Sequence, residues 1–285
     1  MLRLLLMQGI HRALPVYLLM GVAAISVSAQ QADDSQFKYG LAPQNVVENR
    51  LASYTRKNSE REPAVRRLFE EAGCMGDALT EQSVKGTKAP NLLCTLPGAS
   101  DSTIIVGAHF DLVEAGSGVV DNWTGVALLS SLYQSLAITQ RQHTYVFVAF
   151  SGEEAGLIGS TAFVKQLGDR RMRIKAMVNL DTLGLSDTKV WVTHADERLV
   201  GWLAGVAKVL NLPIAAVNVD NVGTTDSEPF RQKKIPAITV HSITPETLKI
   251  LHSRADKIEA VHVDEYYRTY HLVAAYLALL DQKLE

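Results

Sequence analysis

Residues 102–111, STIIVGAHFD, and residues 143–154, HTYVFVAFSGEE, decide the predicted fold. Each stretch is an apolar run about as long as a strand, and each ends in histidine or carboxylate side chains. Continuous apolar runs of this length are typical of strands that are buried on both faces of a sheet. Shorter runs of the same kind occupy residues 174–181, 189–194 and 235–242, and they predict further strands.

Apolar residues at helical spacing precede these runs and lie between them. The predicted helices are residues 45–58, 61–73, 122–137, 156–167, 196–210 and 264–283. Strands that alternate with helices favour a largely parallel sheet with helices on both faces. We therefore predict the α/β class, with a three-layer α/β/α sandwich around a mixed, mostly parallel sheet. The sequence shows no internal repeat or linker, so we expect residues 30–285 to form a single domain.

The N-terminal residues have the pattern of a secretory signal peptide. Arg3 and Arg12 precede the apolar stretch 13–29, which ends in the small residues Ser28 and Ala29. This pattern predicts a signal peptide over residues 1–29 that is cleaved after Ala29, with a retained membrane anchor as the alternative. We expect an exported protein, periplasmic or extracellular. No second segment approaches the roughly 20 apolar residues that span a bilayer, so we expect no stable membrane insertion after cleavage.

The formal net charge narrows the classes of binding partner. Removal of residues 1–29 deletes two arginines and no acid, which changes the formal net charge from −2 to about −4. With this charge and no basic run, nucleic acid is not an expected partner. We expect a monomer.

Cys74 and Cys94 can form a disulfide in an oxidising compartment, and two free buried thiols are the alternative.

Histidine and carboxylate side chains gather where the predicted strands end. In an open α/β sheet, ligands bind beyond the carboxyl ends of the strands. His109 and Asp111 follow the first quoted run, and Glu153 and Glu154 follow the second. Three more candidates occupy a third strand end, a helix start and a later loop: Asp181, Asp121 and His252. Singly, these three are explained as a turn residue, a helix N-cap and a surface histidine, but together they predict one site.

The ligand types at this edge suit a metal. Imidazole and carboxylate groups without thiolates are typical of a catalytic zinc site, and less often of manganese or cobalt. One catalytic zinc takes three protein ligands, and this set contains more. It matches two ions about 3.5–4 Å apart that share a carboxylate. Glu153 is then left free to act as a base on water.

Five motifs resemble those of the two-zinc aminopeptidases of the bacterial leucyl type, which are distantly related to glutamate carboxypeptidase. They are GAHFD, DNWTGVA, SGEEAGLIGS, NLD and LHSRAD, and the resemblance covers residues 90 to 280 approximately. It implies the zinc-dependent exopeptidase (phosphorylase/hydrolase-like) fold, so that residues 30–285 are the peptidase catalytic domain. It also implies two zinc ions per chain, with the ligands His109, Asp121, Asp181, Glu154 and His252.

The resemblance assigns a role to each residue of the site. Asp121 bridges the two ions; His109 and Asp181 complete the first site, and Glu154 and His252 complete the second. Glu153 matches the general base. Asp111 matches the carboxylate that orients His109, because a ligating imidazole needs an acceptor on its other nitrogen. The resemblance further implies a cis peptide bond between Asp121 and Asn122.

The expected reaction is hydrolysis of N-terminal peptide bonds in peptide substrates. Three alternatives remain open: a hydrolase of the carboxypeptidase or acyl-amino-acid type, an acyltransferase resembling the one-zinc glutaminyl cyclases, and a non-catalytic binding module. The chain departs from the family pattern at Trp123, Thr182 and Ser227. We expect Trp123 to alter the rim of the site, and all three departures to affect substrate specificity while leaving the metal chemistry intact.

Overall fold

Four parallel strands form the centre of an eight-stranded sheet and carry the predicted site at their carboxyl ends. In spatial order they are β4 (Thr144–Phe150), β3 (Thr103–His109), β5 (Ile174–Leu180) and β8 (Ala237–His241). The structure is a computed structural model that describes residues 38–220 and 223–285. The predicted signal peptide lies outside these residues. The described residues belong to one compact unit.

Four further strands extend the sheet on both sides. The order across the whole sheet is β1-β2-β4-β3-β5-β8-β6-β7, and the four outer strands are β1 (Leu79–Gln82), β2 (Asn91–Leu96), β6 (Thr188–Val190) and β7 (Ile214–Ala216). β2 runs antiparallel to β4, and β6 runs antiparallel to β8. The sheet is therefore mixed with a parallel centre, as predicted.

Helices cover both faces of the sheet. They are α1 (Gln44–Ala52), α2 (Asn58–Glu71), α3 (Thr124–Leu136), α4 (Ile158–Leu167), α5 (Glu197–Leu210), α6 (Glu228–Gln232) and α7 (Val263–Lys283). α1, α2, α3, α5 and α7 pack on one face in the larger core cluster. α4 and α6 contribute Phe163 and Phe230 to a smaller cluster on the other face. This arrangement confirms the predicted α/β/α sandwich.

Three local predictions are wrong. The strand predicted at 189–194 ends at Val190, and a 3₁₀ turn follows at Val192–His194. The helix predicted at 45–58 ends at Ala52. The next helix begins at Asn58, three residues before the predicted start at 61.

The two cysteines are joined in a disulfide. Cys74 follows α2 and Cys94 lies in β2, and both are fully buried, with a Cα–Cα distance of 6.1 Å. The bond therefore ties the helical layer to the antiparallel side of the sheet. No helix among the described residues has the length and apolar character needed to span a membrane.

Candidate metal centre

Strand register brings the predicted site residues to one edge of the sheet. His109 ends β3 and lies opposite Phe150, the last residue of β4. The turn that contains Glu153 and Glu154 therefore begins beside His109. Asp181 directly follows β5, the other neighbour of β3. Three adjacent parallel strands thus end in side chains that can ligate a metal.

Asp121 stands between two imidazole rings. Its Oδ1 lies 3.2 Å from Nε2 of His109, and its Oδ2 lies 3.2 Å from Nε2 of His252. Asp181 Oδ1 is 3.8 Å from the same nitrogen of His109, and Glu154 Oε2 is 3.0 Å from the same nitrogen of His252. Two three-residue clusters therefore share one carboxylate, and the ligand atoms of each cluster lie within 4.8 Å of one another.

The donor set fits metal ions. Both clusters offer only imidazole nitrogen and carboxylate oxygen, which suit zinc in a catalytic site. Glu154 Oε1 is buried and has no hydrogen-bond partner among the described residues, so it has an unused lone pair at the site. Glu153 also lies within 4.8 Å of His109 and Glu154, which makes it a possible further ligand by distance alone.

The charges of the clusters shift the pKa values of their members. Burial disfavours the charged ring of His109, but Glu153 and the neighbouring aspartates outweigh it and raise the pKa of His109 well above its usual value. The hydrogen bond with Asp121 is the main reason that the pKa of His252 rises to about 9. Burial opposes ionisation of Asp121, yet hydrogen bonds from both rings hold its pKa far below the usual range. In the metal-free chain the acidic neighbours therefore favour the protonated form of both rings.

The pKa of the Glu153 carboxyl is raised, whereas that of the Asp121 carboxyl is lowered. Burial raises the pKa of Glu153 to about 10, and the negative charges of Asp226 and Asp181 act in the same direction against the charge of His109. A carboxyl group in this state keeps its proton at neutral pH. Positive charge added to the neighbouring clusters lowers this pKa. The protonation of Glu153 therefore depends on cations at the site.

The Asp111 carboxylate has partners that the sequence did not suggest. Its Oδ1 accepts the amide of Glu153 at 3.0 Å, and its Oδ2 accepts the amide of Glu154 at 3.1 Å. Nδ1 of His109 lies 3.2 Å from the Asp111 carbonyl oxygen and 3.7 Å from the carboxylate, which is beyond hydrogen-bond distance. The side chain therefore fixes the turn of the two glutamates, while the main-chain carbonyl is the nearer acceptor for His109.

Asn122 and its neighbours connect Asp121 to the end of β5. The Asp121–Asn122 peptide bond is cis, as the resemblance implied. The side chain of Asn122 donates to the Leu180 carbonyl at 2.8 Å and accepts the amide of Thr182 at 3.2 Å. Trp123 is fully buried and does not line the cavity, so the prediction that it alters the rim is wrong. Its indole packs with Arg61 beneath the site.

Two hydroxyl groups that sequence reasoning did not assign hold Asp181. Thr225 Oγ1 donates to Oδ2 of Asp181 at 2.8 Å, and Thr182 Oγ1 donates to Oδ1 at 3.1 Å. Thr225 lies two residues before Ser227, where the chain departs from the family pattern, and this was the only signal for it in the sequence. At the third departure, Ser227 is buried, and its Oγ accepts a hydrogen bond from Thr239.

A cavity of about 230 Å³ opens over the two clusters. Its lining also includes an apolar wall formed by Trp191, Val219, Ile243 and Leu251. His241 also lines the cavity, but its Nδ1 accepts the Ile243 amide and its Nε2 faces the Val217 carbonyl at 3.0 Å. Burial lowers the pKa of His241 to about 4, so the ring is neutral and both of its nitrogens are occupied.

Comparison with known proteins places the chain in a family. The family model of peptidase family M28 matches residues 91–277, which include both clusters and strands β2 to β8 of the sheet that carries them. The chain belongs to peptidase family M28. The M28 segment contains every residue that the sequence predicted for the site.

Individual relatives are more distant. Aminopeptidase YwaD of Bacillus subtilis (strain 168) is 25% identical over 204 residues, covering 69% of this chain and 44% of the relative. A probable leucine aminopeptidase of Trichophyton verrucosum is 34% identical over 134 residues, covering 42% of this chain and 36% of the relative. The chain thus matches less than half of the length of either relative.

Solved structures share the fold. The LapA aminopeptidase of Legionella pneumophila has a TM-score of 0.74 at 19% identity, covering 85% of this chain and 73% of that one. BSAP, a zinc aminopeptidase from Bacillus subtilis, has a TM-score of 0.61 at 22% identity, with 66% and 49% covered. A glutaminyl cyclase from an Acidobacteriales bacterium has a TM-score of 0.65 at 16% identity, with 84% and 94% covered. At these identities the likeness concerns the fold alone.

Proposed function

We propose that this M28 chain is a two-zinc aminopeptidase that removes the first residue of peptides. One observation carries the proposal: the Asp121 carboxylate lies between the imidazoles of two ligand clusters, and Glu153 stands beside them at the wall of a cavity. Paired clusters with a shared carboxylate suit two-metal hydrolysis. An additional acidic side chain next to them suits general base catalysis.

His109, Asp121 and Asp181 would hold one zinc ion, and Asp121, Glu154 and His252 would hold the other. When bound, two zinc ions lower the pKa of a water molecule and polarise the scissile carbonyl. The backbone contacts of Asp111 keep Glu154 turned towards His252. The hydroxyl groups on Asp181 fix that ligand in the same way.

Glu153 would carry the proton through the reaction. Its carboxylate takes the proton of the attacking water as the bond between that oxygen and the carbonyl carbon forms. The same proton passes to the leaving nitrogen as the C–N bond breaks, so the peptide yields a free amino acid and a shortened peptide. A neutral Glu153 cannot accept the first proton. Cations in the neighbouring clusters are therefore needed to bring its pKa down from about 10.

The apolar wall indicates which first residues would be preferred. Trp191, Val219 and Ile243 are nearly fully buried and face the same cavity as the ligand clusters. An apolar side chain placed against them loses its contact with water, whereas a charged side chain loses hydration without a partner. We infer a preference for substrates whose first residue is large and apolar.

Two alternative activities predict different substrates. The hydrolases of the carboxypeptidase or acyl-amino-acid type carry an inserted lid or dimerisation domain. Residues 182–251 contain β6, α5, β7, α6 and β8, which belong to the sandwich itself. The glutaminyl cyclase alternative is supported by the similarity in fold to the solved glutaminyl cyclase. It requires only one zinc and an N-terminal glutamine.

The disulfide supports export. Disulfides persist in oxidising compartments, so the Cys74–Cys94 bond suits a periplasmic or extracellular protein. We propose that residues 1–29 are a signal peptide and that residues 30–285 are the catalytic domain, active as a monomer. Mass spectrometry of the exported protein should find Gln30 as the first residue. A first residue near Met1 would contradict cleavage after Ala29.

A substrate panel tests the activity. Leucyl anilide, N-acetyl-leucyl anilide, an acyl amino acid and a glutaminyl peptide are compared, and bound zinc is measured by elemental analysis. We expect turnover of leucyl anilide alone, two zinc ions per chain, loss of activity with a strong chelator and recovery with zinc. Turnover confined to the acylated substrates, or cyclisation of the glutaminyl peptide, would replace the proposal with the corresponding alternative.

A further inference from the structure

The short segment of residues 117–121 carries Asp121 into the metal centre. It joins the loop after β3 to the start of α3, and all five residues are buried. Residues 119–121 begin a π-helical turn (Val119–Trp123), in which the Trp123 amide donates to the Gly118 carbonyl at 3.2 Å. The amides at the start of such a turn have no partner within it and need one from elsewhere. Gly118 has a φ of 58°, and a Cβ atom at this position would lie 2.7 Å from Nη2 of Arg61. The segment therefore has a specific shape that its surroundings must hold.

Asp256 holds the amide groups of this segment. Its Oδ1 accepts the amides of Val119 and Val120, both at 2.8 Å, and its Oδ2 accepts the amide of Asp121 itself at 3.2 Å. The carboxylate is only 3% exposed. Asp256 lies four residues after His252, so its contacts connect the loop of one ligand to the main chain of another.

Arg61 holds the carbonyl groups. Its Nη2 donates to the carbonyls of Ser117 and Gly118 at 3.0 and 2.6 Å. Its Nη1 donates at 2.9 Å to the carbonyl of Phe110, the residue after His109. The side chain is fully buried, and burial lowers its pKa only to about 10, so the guanidinium stays charged at neutral pH.

We propose that Arg61 and Asp256 are positioning residues that together set the place of Asp121 in the metal centre. The positive side chain fixes the carbonyls of the segment and the negative side chain fixes its amides. The shared carboxylate then stands between the two imidazoles before any metal binds. The proposal rests on the proposed function, because it takes Asp121 as the bridging ligand. A displaced bridge weakens both metal positions, since partners behind a ligand tune metal affinity about 10–100-fold.

The chain contains a matched pair that distinguishes positioning from simple stabilisation. Asp281 is also buried, and its Oδ1 accepts the consecutive amides of Gln142 and His143 at 3.1 and 3.0 Å. Arg141 beside it donates to the Leu136 carbonyl at 2.7 Å. Asp281 lies near the end of α7, and the amides that it accepts directly precede β4, at the opposite end of that strand from the ligands. This pair has the same chemistry without any link to the metal centre.

The test compares Asp256→Asn with Asp281→Asn. Urea unfolding of the metal-free proteins measures stability, and competition with a chromophoric chelator measures the zinc dissociation constant. We expect comparable losses of stability, but zinc binding weakened about tenfold or more only in Asp256→Asn. The visible spectrum of the cobalt-substituted protein should also change only in Asp256→Asn. Zinc affinity and cobalt spectrum equal in the two variants would overturn the proposal.

A measurement on the unmodified protein covers the case in which Asp256→Asn does not fold. Hydrogen exchange of the Val119 and Val120 amides is followed with and without zinc. We expect slow exchange already in the metal-free protein, because Asp256 holds both amides there. Protection that appears only with zinc would overturn the proposal. If the unmodified protein binds no zinc, the proposed function fails, whereas the exchange result still reports on the Asp256 contacts.

Discussion

Oγ1 of Thr225 donates a 2.8 Å hydrogen bond to Oδ2 of Asp181. The direction of this bond is fixed, because the same hydroxyl oxygen accepts Nδ2 of Asn179 at 2.5 Å. Its proton therefore points at the carboxylate, and Oδ1 of Asp181 is left facing His109. A buried threonine, only 5% exposed, thus sets which carboxylate oxygen is presented to the cluster.

Replacement of this hydroxyl should weaken zinc binding. Thr225→Val keeps the shape of the side chain but removes the donor to Asp181, so the ligand can rotate away from His109. We expect the zinc dissociation constant to rise about 10–100-fold, as measured by chelator competition. Thr225→Ser keeps the hydroxyl and should bind zinc within about threefold of the unmodified protein. Equal affinities in the valine and serine variants would show that the hydrogen bond does not orient the ligand.

The adjacent glutamates should respond differently to the same substitution. Glu153→Gln removes the proposed proton carrier, and we expect two bound zinc ions with turnover reduced about 10²–10⁴-fold. Glu154→Gln removes a proposed ligand, and we expect one zinc to be lost along with activity. Zinc content by elemental analysis and turnover of leucyl anilide check both. Loss of zinc from Glu153→Gln would instead make Glu153 a ligand, which its position within 4.8 Å of His109 and Glu154 allows.

Zinc affinity should increase with pH. In the metal-free chain the hydrogen bond to Asp121 raises the pKa of His252 to about 9, and zinc binds only the neutral ring. Protons therefore compete with zinc below this pH, and the competition ends as the pH rises through the pKa. We expect tighter binding from pH 6 to about 9, with proton release in calorimetry in buffers of different ionisation enthalpy. Affinity independent of pH over this range would contradict a protonated His252.

Most of the fold and the ligand clusters could be predicted because they depend on continuous patterns in the sequence. The central strands β3, β4, β5 and β8 are long apolar runs that end in polar residues, so both their burial and the edge of the site were visible. Strands β1, β2 and β7 were not predicted. β2 reads NLLCTL, in which Asn91 and Thr95 flank an apolar run of only three residues. β1 reads LTEQ and β7 has only three residues, and both lie at the edges of the sheet, where burial imposes little pattern.

The residues that support the ligands could not be predicted in the same way. Arg61 and Asp256 contact the segment of Asp121 from positions that are far away in the sequence, and their types are common on protein surfaces. The hydrogen-bond partners of Asp111 could not be predicted for the same reason. The resemblance assigned its carboxylate to His109, whereas its oxygens accept two amides that only the folded turn brings near.

The disulfide should contribute to stability without influencing the metal centre. Cys74 and Cys94 are 20 residues apart in sequence, and cross-linking them limits the unfolded chain by about 3 kcal/mol. We expect the double variant Cys74→Ala and Cys94→Ala to lose about this free energy of unfolding, measured in urea on the metal-free protein. Its zinc dissociation constant should stay unchanged, since neither cysteine is among the residues that line the site. Protein oxidised during export should show no free thiol after unfolding, and two titratable thiols in it would contradict the bond.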